Sequence, residues 1–84
     1  MNDKKDMDLV VKTLLIDYIS NTNSLDGYTI FIVWKSKVLK NWKYLLATDI
    51  PDNKYYEITY NGDRKEFYID EYLKINNTVI DWSE

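Results

Sequence analysis

The chain contains no cysteine and no histidine, and only two glycines and one proline among its 84 residues. Without cysteine no disulfide can staple it, and no redox compartment is indicated. Lacking both residue types, it is excluded from nucleophile–histidine pairs, thiolate catalysis and Cys/His zinc sites. Gly27 and Gly62 are too few for a phosphate-cradling loop. So little glycine and proline is also unlike a disordered chain. No apolar run approaches the ~20 residues of a membrane-spanning helix. Met1–Asp8 lacks the cationic-then-apolar form of a leader. A soluble, cytoplasmic protein with no membrane partner is expected.

Hydrophobic residues make up 45% of the chain and aromatics 15%, including eight Tyr and three Trp. A chain this short forms one domain, residues 1–84, and buries little more than about 60% of its unfolded surface. Large aromatic side chains suit the thin, dense core that follows. The net charge is −3, unevenly spread. Tyr28 to Thr48 contains four Lys and no acid, whereas from Asp49 onward nine acids face four bases. One basic and one acidic face would result, unless these are ordinary solvated surfaces.

Met7, Val10, Val11, Leu14, Leu15 and Tyr18 recur at three- and four-residue steps, with Asp8, Lys12, Thr13, Asp17 and Ser20 opposite. This periodicity predicts an amphipathic helix over about residues 6–20, capped by Asp3 or Asp6. Leu9, Ile16 and Ile19 widen its apolar arc, as expected of a helix lying across a sheet. Asn21 to Gly27 reads as a loop. The apolar run Tyr28–Trp34 predicts a first strand, covered on both faces or central with bulky neighbours. Ser36-Lys37 is a turn, or a bulge before a second strand over Trp42–Asp49. Ile50-Pro51-Asp52-Asn53 suits a type I turn. Tyr55–Ile69 carries the strongest local signal: two aromatic and β-branched runs around Asn61-Gly62, predicting a hairpin with a type I′ turn. Tyr56, Ile58 and Tyr60 share one face, and Tyr55, Glu57 and Thr59 the other. After Ile69, Asp70–Asn76 reads as a short helix capped by Asp70, with a continuing strand as the rival reading. The tail, with Val79, Ile80 and Trp82, is expected to dock. The fold class is therefore α+β: an N-terminal helix on a four-stranded antiparallel meander, closed by a short C-terminal helix.

Candidate chemistry is sparse. Asp70-Glu71, the obvious carboxylate pair, would project to different sides in either a helix or a strand, which does not suit a catalytic dyad. Asp49, Asp52 and Asn53 lack the spacing of a calcium loop. Asn76-Asn77-Thr78 matches a glycosylation acceptor, a chance match without a secretory signal. The expectation is a protein that is not an enzyme, with no catalytic residue, metal or cofactor. Lys35, Lys37, Lys40 and Lys43, interleaved with Trp34, Trp42 and Tyr44, could form an electrostatic and stacking surface for nucleic acid. The order of elements resembles the double-stranded RNA-binding domain, but Asp70-Glu71 stands where that family's final helix begins with basic residues. Edge lysines that block aggregation are the plainer reading. Asp49, Asp52, Glu57, Asp63, Glu66, Asp70 and Glu71 gather on or beside the hairpin, a charge pattern that could also occupy a basic groove.

Val33-Trp34, the spaced Lys37, Leu39, Asn41 and Lys43, the Leu45–Thr48 run and above all Tyr55–Asp63 form a more specific pattern. Lys65-Glu66, Tyr68, Asp70 and Tyr72 extend it. Over residues 28–76 the chain resembles short uncharacterised proteins of phages and prophages of Gram-positive bacteria, classed as a domain of unknown function. That resemblance implies a small phage accessory product in the host cytoplasm and transfers no functional residue. The expected function is binding, most simply inhibition of a host or defence protein. Tyr55, Glu57, Tyr68, Asp63 and Glu66 are the candidate contacts, because exposed Tyr gives contact area at small entropic cost. Nucleic-acid binding through Lys35, Lys37, Lys40, Lys43 and Trp42 is the second expectation, and a self-associating homodimer the third.

Overall fold

The computed structural model describes residues 6–22 and 27–83. Asp3 as a helix cap, residues 23–26 of the expected loop and Glu84 lie outside the described residues. The elements are α1 (Met7–Thr22), β1 (Ile30–Val38), β2 (Asn41–Thr48), β3 (Lys54–Asn61) and β4 (Glu66–Leu73). The strands form an antiparallel sheet in the order β1-β2-β3-β4, the meander expected from four consecutive strand signals.

Helix α1 starts where an acceptor can satisfy its first orphan amides: Asp6 Oδ1 accepts from the Asp8 N–H at 3.1 Å. Val11, Leu15 and Ile19, four residues apart, are fully buried against Tyr44, Leu46, Tyr56 and Ile58 of the sheet. Leu9 and Ile16, which widen the apolar arc, stay exposed on one flank. The ring of Tyr18 meets that of Tyr56 edge-on at 6.1 Å.

Two polar ties complete the helix–sheet contact. Near the helix N-terminus, Asp8 Oδ1 accepts from the Tyr44 hydroxyl (2.6 Å) and from Lys35 Nζ (3.0 Å). Near its C-terminus, the Tyr18 hydroxyl donates to Glu71 Oε1 (2.8 Å), and Lys54 Nζ pairs with Glu71 Oε2 (2.8 Å). The sequence pattern puts Asp8 on the solvent side. In fact it sits over the rim of the sheet, where the hydroxyl of a buried tyrosine needs an acceptor. These partners hold both carboxyls below their ordinary values of 3.8 and 4.5, the Tyr44 hydroxyl dominating at Asp8 and the Lys54 ammonium at Glu71. The folded protein thus binds these protons more weakly than the unfolded chain. The stability gained is fully present above the ordinary carboxylate range and is lost as pH falls through the depressed folded values. A paired Asp8→Asn, Glu71→Gln variant should be less stable than the wild type at neutral pH and lose less on acidification. Urea midpoints followed from pH 7 to pH 3 measure this; parallel acid losses would sink the assignment.

Several sequence expectations are corrected. Residues 70–76 form no helix: β4 continues through Leu73, because Tyr72 and Leu73 pair with Tyr55 and Lys54 of β3. The tail is not buried as expected, since Ile75, Val79, Ile80 and Trp82 are 80–88% exposed. Strand β1 is an edge strand rather than a covered one, and it runs on through Ser36-Lys37. The first turn falls at Leu39-Lys40, and a bulge between Ile32 and Trp34 leaves Val33 without a register partner.

The Asn61-Gly62 hairpin exists, but not as a two-residue type I′ turn. Residues 62–65 make a four-residue loop between the paired Asn61 and Glu66. Asn61 Oδ1 accepts from the Asp63 and Arg64 amides, a side chain doing the work of a backbone turn. The left-handed residue there is Lys65 (φ 54°), as Leu39 (φ 58°) and Asn53 (φ 58°) are in the other two loops. All three loops therefore place a non-glycine residue where glycine would be easiest.

Candidate interaction surface

Only one face of the sheet is covered by α1. The register assigns the other face row by row. Phe31, Ala47, Tyr55 and Tyr72 are successive partners across all four strands. Trp34, Leu45, Glu57 and Asp70 form the next row, and Ser36, Lys43, Thr59 and Tyr68 the one after. The bulge at Val33 makes this possible. By simple alternation Phe31 and Trp34 would face opposite sides; the extra residue turns both outward and sends Lys35 inward to Asp8. Phe31, Trp34, Tyr55, Tyr68 and Tyr72 are each 37–49% exposed, with the small Ala47 between Phe31 and Tyr55.

Polar groups steady the rings. Lys43 Nζ lies 3.7 Å from Glu57 Oε2, and the Tyr72 hydroxyl donates to Glu57 Oε1 at 3.2 Å, so one chain of contacts crosses β2, β3 and β4. The Tyr68 hydroxyl donates to Glu66 Oε1 at 2.6 Å. The hydrogen bond to Glu66 raises the Tyr68 pKa, and the charge of Glu57 raises that of Tyr72. Both phenols remain protonated donors at neutral pH. Aromatic side chains already held by such bonds lose less freedom when covered by a partner.

Of the five contacts expected from sequence, Tyr55, Glu57, Tyr68 and Glu66 belong to this helix-free face. Asp63 lies apart, in the β3–β4 loop, where it faces Lys40 at 3.5 Å. Phe31, Trp34 and Tyr72 were missed. Tyr72 falls in the stretch that reads as a short helix, and no local pattern announces the bulge that turns Trp34 outward. The lysine-rich alternative does not converge on one surface. Lys35 pairs with Asp8, and Lys37 lies 5.7 Å over the Trp42 ring on the helix side of the sheet. Lys43 is on the opposite face, and Lys40 is in a turn. Trp42 is half-buried and stacks on Tyr44 at 5.8 Å, so it is core rather than contact, whereas Trp34 is the exposed one.

Among the described residues, no helix is long and apolar enough to cross a membrane, and no cluster of three acidic residues could hold a metal ion. Comparison with curated proteins finds no match, and neither does comparison with solved structures. The model of a family of unknown function, DUF6275, matches residues 5–82, α1 as well as the sheet, and the chain belongs to that family.

Proposed function

We propose that this chain is a non-enzymatic phage or prophage accessory protein that acts in the host cytoplasm by binding a host or defence protein. The helix-free sheet face is the contact surface. The observation that carries this reading is the aromatic row Phe31–Ala47–Tyr55–Tyr72 with Trp34 beside it, open to solvent over a sheet whose other side packs on α1. With Tyr68, these five half-exposed aromatics contribute about 300–500 Å², taking about 150–250 Å² for each full side chain. That matches the largest patches of monomeric proteins, which are often functional. Tyrosine and tryptophan anchors with a charged rim are the composition of interaction hot spots.

The test is capture from Gram-positive host lysate on immobilised protein after nuclease treatment, comparing wild type with a Trp34→Ser, Tyr55→Ser variant of unchanged melting temperature. A protein retained in stoichiometric amount by the wild type and lost by the variant is the expected result. Capture that ignores the substitutions, or that disappears with nuclease, would move the site away from this face.

A further inference from the structure

Asn61-Gly62 marks a turn, and it also carries a chemistry of its own. No other asparagine of the chain precedes a glycine. The backbone nitrogen that follows an asparagine can attack the amide carbon of that asparagine's side chain, closing a five-membered succinimide ring. Glycine shields that nitrogen least, because it has no Cβ.

The turn treats the two reacting groups differently. The electrophile is held and polarised: Asn61 Oδ1 accepts from the Asp63 N–H at 3.1 Å and from the Arg64 N–H at 3.2 Å. Attack at Cγ puts negative charge on this oxygen. Two amide donors already directed at it stabilise that charge, as donors do around the oxyanion of an acyl-transfer site. The nucleophile is held back: the Gly62 N–H donates to Asn41 Oδ1 at 3.0 Å. A neutral carboxamide oxygen accepts this hydrogen bond but is too weak a base to take the proton that must leave. Packing on the Lys40 carbonyl oxygen and Cβ excludes any larger residue at 62, so the least shielded nitrogen is a fixed property of the turn.

The restraint and the reacting pair belong to different hairpins. Asn41 opens β2, whereas Asn61 closes β3. Parting of the β1–β2 and β3–β4 turns frees the Gly62 N–H while the local bonds from Asp63 and Arg64 to Asn61 stay in place.

We propose that Asn61-Gly62 is a self-modification site, primed by the Asp63 and Arg64 amides and gated by Asn41. Once the gate opens, hydroxide takes the Gly62 amide proton and the nitrogen bonds to Asn61 Cγ. The Cγ–Nδ2 bond breaks, and Nδ2 takes a proton from water and leaves as ammonia. Water then opens the succinimide at either carbonyl, giving aspartate or isoaspartate at position 61; nothing is oxidised or reduced. Asn61 is the register partner of Glu66, so a carboxylate at 61 sets like charges directly opposite each other. Isoaspartate also lengthens the backbone by one methylene beside the contact with Lys40 and Asn41. Each conversion therefore weakens the junction that had held the gate shut.

The test is conversion at position 61, read by peptide mapping and isoaspartate detection on the full chain at mildly alkaline pH. Asn41→Ala alters an exposed side chain and should keep the wild-type melting profile. Folded Asn41→Ala should convert about two- to tenfold faster than folded wild type, the ratio set by one neutral hydrogen bond. It should also convert faster than wild type unfolded in urea, where nothing primes the amide. If the variant loses its melting profile, the wild type decides alone. Its Gly62 amide should be protected from hydrogen exchange, and conversion should rise with that amide's exchange as urea approaches the midpoint. Equal rates in folded wild type and folded variant would overturn the proposal. So would a folded variant no faster than the unfolded chain, or a Gly62 amide that exchanges as in the unfolded chain.

Discussion

Gly62→Ala is expected to be the most damaging small substitution in the molecule, lowering stability by about 3 kcal/mol or more. The reason is close approach rather than backbone conformation, because Gly62 does not lie in the left-handed region. A Cβ built on Gly62 would fall inside the contact distance of the Lys40 carbonyl oxygen and Cβ, with the Lys40 carbonyl carbon at 2.8 Å. These are backbone and near-backbone atoms, so no side-chain rotation relieves the overlap. The β1–β2 and β3–β4 turns are locked together here, since the Gly62 N–H also donates to Asn41 Oδ1 at 3.0 Å. At about 4–8 °C per kcal/mol for a domain of this size, the melting temperature should drop by roughly 12–24 °C. An unchanged melting temperature would mean that the two turns do not touch.

Leu15→Ala should cost about 2–5 kcal/mol, the range for large-to-small changes in a packed core. Leu15 is fully buried at the middle of the helical stripe Val11, Leu15 and Ile19, and among the described residues the fully closed core comprises seven side chains. A cavity there is set against a total stability of about 4–13 kcal/mol for a chain of this length. The neighbouring Ile16→Ala, on the exposed flank, should change stability by no more than about 0.5 kcal/mol. Urea midpoints of the two variants decide between orientations of α1. Equal effects, or the reverse order, would show that the helix is turned differently on the sheet.

What could be read in the sequence follows the range of the interaction concerned. The helix and the two faces of the β3–β4 hairpin were legible because 3.6- and 2-residue periods are local properties of the chain. Tyr55, Glu57 and Tyr68 were placed together correctly for that reason. The end of the chain was misread at Asp70–Asn76, where an N-cap residue and a Tyr-Leu-x-Ile pattern satisfy a helix as well as a strand. Pairing with Lys54 and Tyr55, some 17 to 19 residues away, decides between them. Asn61-Gly62 marked a turn correctly but for the wrong reason: the glycine is demanded by Lys40, a residue 22 positions earlier. Phe31 and Trp34, two of the five aromatics of that surface, became visible only through the bulge at Val33. That bulge is a property of the β1–β2 register and not of β1 alone.

The tie between Tyr18 and Glu71 spans 53 residues, and it has a consequence for how the protein is made. The ribosome delivers α1 first and every strand that covers it afterwards. At about 5–20 residues per second, the helix waits roughly 3–10 s between the emergence of Tyr18 and that of Glu71. Until β2 and β3 have emerged with Tyr44, Leu46, Tyr56 and Ile58, Val11, Leu15 and Ile19 have no sheet to lie on. Because each strand pairs only with its sequence neighbour, the sheet can grow hairpin by hairpin as it emerges, with the helix as the lid that closes on β2 and β3. Nascent chains arrested before β3 should therefore retain a protease-sensitive helix, and resistance should appear once Ile58 has cleared the exit and be completed by the Tyr18–Glu71 tie.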